Sequence, residues 1–102
     1  MKIAVIGDYE SPAYKELLQH IRILMPDEEV LDLSRHQKSS WTRMLENRFA
    51  DIKNAHQVVI SDDWDVHFDA KRDITHAQSL NKECFIDCKG QFLPFPEYAI
   101  RK

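Results

Sequence analysis

Short apolar runs alternate with segments of helical periodicity along this chain, and that alternation constrains the fold more than any other feature. Each run is rich in branched residues, which is typical of strands buried inside a sheet. Strict alternation with short connections favours parallel strands joined by right-handed crossovers. We therefore expect an α/β fold, with strands over residues 2–7, 30–33, 57–61 and 83–87.

The three segments between these runs carry apolar residues at helical spacing. Ser11 followed by Pro12 is a typical helix start, because serine caps the first turn and proline fits its first position. Ser39 or Ser40 can cap the second helix, and we expect the third to begin near Asp69. The residues predicted to face inward are Tyr14, Leu17, Leu18, Ile21 and Met25, then Trp41, Met44, Leu45, Phe49 and Ile52, then Ala70, Ile74, Ala77 and Leu80.

The predicted architecture is a flavodoxin-like three-layer sandwich with four or five mostly parallel strands in the order 2-1-3-4. Ligands of such sheets bind beyond the carboxyl ends of the strands, where the strand order reverses. Here that point lies between the first and third strands. The segment after residue 89 is too apolar for a free tail and is expected to pack across the domain. We expect one domain, 1–102, because this length suits a single hydrophobic core.

Charge and hydropathy exclude several classes of function. The net charge of −3 and the scattered basic residues argue against a nucleic-acid grip. No apolar run approaches the roughly 20 residues of a membrane helix, and the first strand follows Met1 and Lys2 without a signal peptide, so a cytoplasmic location is expected. Cys84 and Cys88 would lie roughly 13 Å apart on one strand, too far for a disulfide, and are expected in the core.

Gly7, Asp8 and Tyr9 form the first polar cluster at the predicted edge. Glycine permits close backbone approach, and the helix start that follows offers free N–H groups to an anion. Neither a dinucleotide fingerprint nor a phosphate loop is present, because Gly7 has no further glycines beside it. An ordinary strand-to-helix turn is the alternative interpretation.

The second cluster follows the third strand and contains Asp62, Asp63, Trp64 and Asp65. Its carboxylates suit either coordination of a divalent metal or hydrogen bonds to ribose hydroxyls. Crowding raises the pKa of at least one of them, which favours proton transfer. Trp64 suits stacking against a base or a sugar face. The alternatives are a solvated loop of turn-capping aspartates, with Trp64 as a core residue or a dimer contact.

The third cluster comprises His67, Asp69, Asp73 and His76 at the start of the third helix. These are metal-ligand types, but their spacing matches no zinc pattern, so no metal site is predicted. As metal candidates they are better interpreted as a helix cap at Asp69 and surface residues at Asp73 and His76. The other histidines are assigned to the surface: His20, His36 and His56.

Residues 48–86 resemble the central signature of the nucleoside 2-deoxyribosyltransferase-like superfamily, and are closest to its short branch. That signature runs from an Ile-x-x-Ala/Cys-Asp helix end through an apolar strand and an acidic or Trp-bearing loop to a helix and a Lys-led strand. The opening IAVIGDYES resembles the family's first strand and ligand-contacting loop. The matching residues are Asp51, Ile52, Ala55, Val58, Val59, Ile60, Trp64, Ala70, Ile74, Ala77 and Lys82.

The resemblance implies specific catalytic roles. The family's nucleophile, a glutamate that attacks the anomeric carbon, falls on Asp73, whose side chain is one methylene shorter. The assisting aspartate falls near His67, with Asp63 or Asp65 as substitutes. The family has a Gly-Thr pair before the nucleophile, and Asp69 and Ala70 stand in its place. A second carboxylate therefore stands where the family has a small residue.

The remaining edge residues are implied to bind substrate. Asp62 or Asp63 matches the family's loop acid after the third strand, and Tyr9 matches the aromatic residue after the first. The implied substrate-binding set is Gly7, Asp8, Tyr9, Asp62, Trp64 and Asp69, and the implied catalytic set is Asp73, Asp63 and His67.

The resemblance implies transfer or hydrolysis of an N-glycosidic bond of a nucleoside or nucleotide, without metal or organic cofactor. It also implies a homodimer or larger homo-oligomer, with Glu97 or Tyr98 completing a partner's site. The shortened nucleophile and the altered helix start favour an alternative: a non-catalytic domain on the same scaffold that binds a nucleotide-like ligand or another protein chain. A receiver-like regulator with Asp62 or Asp63 as phospho-acceptor is the third possibility.

Overall fold

The computed structural model describes residues 1–37 and 40–95, which form one sheet with helices packed against it. Short 3-10 helices cover Leu33–His36 and Trp64–Val66. The main elements of the structure are β1 (Lys2–Ile6), α1 (Pro12–Leu24), β2 (Glu29–Asp32), α2 (Trp41–Asn54), β3 (Gln57–Ile60), α3 (Phe68–Ser79), β4 (Glu83–Cys88) and β5 (Gln91–Pro94).

The sheet confirms the predicted strand order and extends it. Its order is β2-β1-β3-β4-β5, with the first four strands parallel and β5 antiparallel to β4. β1 is flanked by strands on both sides, and Ile3 to Ile6 are at most 1% exposed, because both faces of this strand are covered. Ile6 pairs with Ile60, so the carboxyl ends of β1 and β3 lie side by side.

Gly7 lets those two strand ends approach each other closely. A Cβ at this position would lie 2.7 Å from Cβ of Ser61 and 3.2 Å from Cδ1 of Tyr14. Real Cβ atoms do not approach other carbons to 2.7 Å, so a side chain here would force the strand ends apart. The turn that carries the first polar cluster therefore depends on glycine for space.

The buried face of α2 differs from the predicted apolar stripe. Trp41, predicted to face inward, is 54% exposed. Arg48, which the hydrophobic pattern leaves out, is fully buried between Met44 and Ile52 on the same helix face. Helical spacing places residue 48 on the buried face of α2, but the residue there is a charged arginine whose partners lie on other elements.

The boundaries of α3 also correct the sequence prediction. His67, not Asp69, is the N-cap residue, and its Nδ1 accepts a hydrogen bond from the Ala70 backbone N–H at 3.3 Å. Leu80, predicted to face inward, follows the end of the helix and is 38% exposed. Asp73 is fully buried rather than on the surface.

The chain after β4 packs on the domain as far as the structure describes it. Phe95 is buried, and its backbone N–H donates to the Cys84 carbonyl at 2.9 Å. Cys84 is buried and Cys88 half-buried, and both are free thiols. Glu97 and Tyr98 lie outside the described residues.

Within residues 1–37 and 40–95, no helix combines the length and apolar character that a membrane crossing requires.

Candidate functional site

Three polar side chains meet below the carboxyl edge of the sheet and form what we call the buried triad: Tyr9, Arg48 and Asp73. They come from the loop after β1, from α2 and from α3, and none is more than 2% exposed. The Tyr9 hydroxyl donates to Oδ2 of Asp73 at 2.5 Å. Nε of Arg48 lies 3.0 Å from the same oxygen, but no hydrogen bond forms there, so this contact is an ion pair.

The Arg48 guanidinium is held by three further neighbours. Its Nη1 donates to Oε1 of Gln37 at 2.9 Å, and its Cζ lies 5.1 Å from the centroid of the Tyr9 ring. That distance is within the range of a cation–π contact. Nη2 lies 3.9 Å from Oδ1 of Asp69, a long ion pair. The side chain is therefore fixed where α2, α3 and the first loop converge.

Buried alanines make room for this cluster on α3. Ala70 and Ala77 lie one turn before and one turn after Asp73, and all three are 0% exposed. Asp73 thus occupies a core position of the helix, on the same face as Ile74. Its burial follows from the same helical spacing that predicted the neighbouring apolar residues to face inward.

Burial raises the pKa values of two residues of the triad, Asp73 and Tyr9. It raises the pKa of Asp73 to about 6, although the Tyr9 hydrogen bond and the Arg48 charge both act to lower it. Burial, followed by the charge of Asp73, raises the pKa of Tyr9 well above its ordinary value, so the phenol stays protonated and donates. Among the described residues, Oδ1 of Asp73 and Nη2 of Arg48 have no hydrogen-bond partner. Buried polar atoms without partners cost free energy, so these two atoms reduce the stability that the triad contributes.

Tyr9→Phe is expected to lower the free energy of unfolding at neutral pH by about 1.5–3 kcal/mol, the value of a hydrogen bond to a charged group. The loss should shrink near pH 5, because Asp73, with a pKa of about 6, is then mostly neutral. Tyr14→Phe is the matched control, since the Tyr14 hydroxyl donates to the Val5 carbonyl at 2.7 Å, which does not titrate. Urea unfolding at both pH values measures each loss, and a Tyr9→Phe loss as constant with pH as the control's contradicts the assignment.

Asp8 and His67 form an accessible pair at the rim of the site. Nε2 of His67 lies 3.4 Å from Oδ1 of Asp8, and the two side chains are 26% and 35% exposed. Because Nδ1 of His67 accepts from the Ala70 N–H, the proton of the neutral ring lies on Nε2, facing Asp8. The His67 ring also meets the Tyr9 ring edge-on at 6.4 Å. This pair therefore stands directly beside the buried triad and presents a donor and an acceptor to solvent.

The loop after β3 contributes less to this cluster than the sequence predicts. Oδ1 of Asp63 accepts from the Ser61 hydroxyl at 2.7 Å, and within the described residues no hydrogen bond or ion pair joins Asp63 to the triad. Trp64 is half-buried and meets the Phe95 ring edge-on at 5.1 Å, as part of the core. Asp62 is exposed. The structure thus unites Tyr9 and Asp73 with neighbouring Asp8, His67 and Asp69, while Asp63 and Trp64 are held by other partners.

Arg48 is the site residue that the sequence reasoning missed. Met44, Arg48 and Ile52 are spaced four residues apart, so helical spacing alone places Arg48 on the buried face. An arginine at such a position indicates a buried carboxylate nearby, because an unpaired buried charge is too costly. That signal was present in the sequence.

The chain matches no protein-family model, no curated protein and no solved structure. Among residues 1–37 and 40–95, no group of three His, Cys, Asp or Glu side chains is arranged to hold a metal ion. The contacts of the triad and its rim are therefore the basis on which a function can be proposed.

Proposed function

We propose that this chain is a domain that binds a nucleoside- or nucleotide-like ligand at the carboxyl edge between β1 and β3, without turnover through Asp73. The observation that carries the proposal is the burial of Asp73, which is 0% exposed and ion-paired with Arg48. A carboxylate nucleophile must contact the anomeric carbon that it attacks. Asp73 is instead enclosed by the Arg48 guanidinium and the Tyr9 phenol, so it holds together the elements that form the site.

The scaffold of this proposal is a flavodoxin-like three-layer sandwich. The step from β1 to β2 crosses the sheet in one direction, and the steps from β2 to β3 and from β3 to β4 cross it in the other. Right-handed crossovers then put α1 on one face and α2 with α3 on the other. The loops after β1 and β3 therefore lead to helices on opposite faces of the sheet, which supports a ligand site at this reversal.

The rim supplies the chemistry for recognising a sugar. Asp8 offers acceptor oxygens and His67 a donor N–H, and both side chains are partly exposed. A ribose or deoxyribose hydroxyl both donates and accepts, so it can replace the 3.4 Å contact between these two groups with two shorter hydrogen bonds. The resemblance to the deoxyribosyltransferase-like superfamily supports a nucleoside or nucleotide as the bearer of that sugar.

Titration calorimetry with adenosine, deoxyadenosine, thymidine and their monophosphates tests this proposal. We expect at least one of them to bind, and Asp8→Asn to weaken its binding about tenfold, because one charged acceptor is lost. Asn retains the carbonyl that can accept from the Glu10 backbone N–H, which Asp8 does at 3.2 Å, so the loop keeps its turn. Asp27→Asn, an exposed aspartate before β2, is the control. Absence of binding across the panel, or equal affinity in Asp8→Asn, contradicts the proposal.

A second candidate is an N-glycosidic transferase or hydrolase with Asp73 as nucleophile and Asp63 or His67 as acid/base. The contact that favours it is the 2.5 Å hydrogen bond from Tyr9 to Asp73, which joins the two residues that the resemblance assigns to one pocket. This mechanism requires Arg48 to move away from Asp73. Product analysis with the same ligands tests it: turnover that Asp73→Asn abolishes, with binding retained, favours the enzyme over the binding domain.

A further inference from the structure

Two exposed aromatic side chains lie beside the proposed site. Trp41 is the first residue of α2 and 54% exposed, and Phe68 is the first residue of α3 and 70% exposed. Large aromatic side chains at solvent-exposed positions often mark binding surfaces. Both therefore lie at the N-terminal ends of their helices, directly after Ser40 and His67.

Arg72 joins the two rings into one surface, which we call the aromatic platform. Its Cζ lies 4.9 Å from the centroid of the Trp41 ring and 4.7 Å from that of Phe68. Both distances are within cation–π range, so the guanidinium holds both rings in place. Arg72 thereby orders the platform before any ligand arrives, which lowers the entropic cost of binding.

The platform is continuous with the buried triad through Asp69. Oδ1 of Asp69 lies 3.8 Å from Nη1 of Arg72 and 3.9 Å from Nη2 of Arg48. Phe68 also follows His67 directly in the chain, so the platform begins at the residue next to the rim.

We propose that the aromatic platform stacks against the base of the ligand, an inference that rests on the proposed function. Every nucleobase has a π face, and stacking on a protein aromatic ring tolerates different bases. The sugar then lies toward Asp8 and His67. Trp41 and Phe68 thus take the role that the sequence assigned to Trp64, which is packed against Phe95.

Calorimetric titration with adenosine monophosphate and with ribose 5-phosphate tests the stacking. Trp41→Ala and Phe68→Ala are each expected to weaken nucleotide binding about tenfold, the usual effect of losing one stacking ring. Affinity for ribose 5-phosphate, which has no base, should not change. Ile23→Ala, a 76% exposed apolar residue of α1, is the control and should leave both affinities unchanged. Trp41→Phe keeps a stacking face and should retain most of the nucleotide affinity.

The outcomes separate this inference from the proposed function. Failure of the unaltered chain to bind any nucleoside or nucleotide overturns both. Tight nucleotide binding that neither alanine variant weakens overturns the platform alone. Equal loss for ribose 5-phosphate and the nucleotide also overturns it, because the effect is then structural. Sedimentation of the same variants adds one more contrary result: a change from dimer to monomer with unchanged affinity identifies the platform as an interface between copies.

Discussion

Arg48→Met is expected to lower the free energy of unfolding at neutral pH by about 3–5 kcal/mol, because it breaks a buried ion pair and leaves the Tyr9 hydroxyl as the remaining partner of Asp73. The two side chains are both 0% exposed, so water cannot replace the lost guanidinium. Domains of this size have a total stability of about 5–15 kcal/mol, so the variant should be near its unfolding limit. Urea unfolding measures the loss.

Arg43→Met and a double variant provide the controls for this result. Arg43 is exposed on the same helix, and its replacement should change stability by less than about 0.5 kcal/mol. Adding Asp73→Asn to Arg48→Met removes the uncompensated charge, so the double variant should be more stable than Arg48→Met alone. An Arg48→Met loss no larger than that of Arg43→Met would mean that the ion pair does not stabilise the fold.

The second large effect is a loss of stability as pH rises from about 4 to about 6, caused by Asp73. Its folded pKa is about 6, whereas an unfolded aspartate titrates near its ordinary value. The folded state therefore holds this proton more tightly, and releasing it with rising pH favours unfolding. Two pKa units correspond to about 3 kcal/mol, which is fully lost above the folded pKa.

Comparison of the unaltered chain with Asp73→Asn isolates this contribution from the other titrating groups. The free energy of unfolding of the unaltered chain, minus that of Asp73→Asn, should fall by about 3 kcal/mol between about pH 4 and about pH 7. Asp62→Asn, at an exposed position, is the matched control for the removal of one carboxylate. A difference for Asp73→Asn that stays constant with pH contradicts the raised pKa.

The sheet was predictable because its signals are local. Branched apolar runs such as 57–61 mark buried strands, and the alternation with helices orders them. The short 3-10 helix that begins at Leu33 was missed, since a buried apolar residue at the end of a strand has the same sequence pattern. The fifth strand pairs antiparallel along β4, a contact that alternation does not predict.

The site was predictable only in part because its contacts join distant segments. The sequence brought Tyr9 and Asp73 to one edge, and the structure joins them by a hydrogen bond. Helical spacing also places Asp73 on the buried face of α3, but its partner there, Arg48 from α2, was not predicted. Trp41 is exposed although an inward position was predicted, and it meets only Arg72 among the aromatic and cation–π contacts of the described residues. Trp64 packs against Phe95, as its alternative interpretation as a core residue predicted.

The proposed function is ligand binding at the edge between β1 and β3 without cleavage of the ligand. An amide proton–nitrogen correlation spectrum, recorded during titration with adenosine monophosphate, tests it most directly, because the same sample also shows the ligand's anomeric proton. Binding at this edge should shift the signals of Asp8, Tyr9, His67 and the Trp41 indole, with an anomeric signal that stays constant over time. Shifts centred elsewhere, such as on Glu16 and His20 of α1, or a decaying anomeric signal with release of adenine, would contradict it.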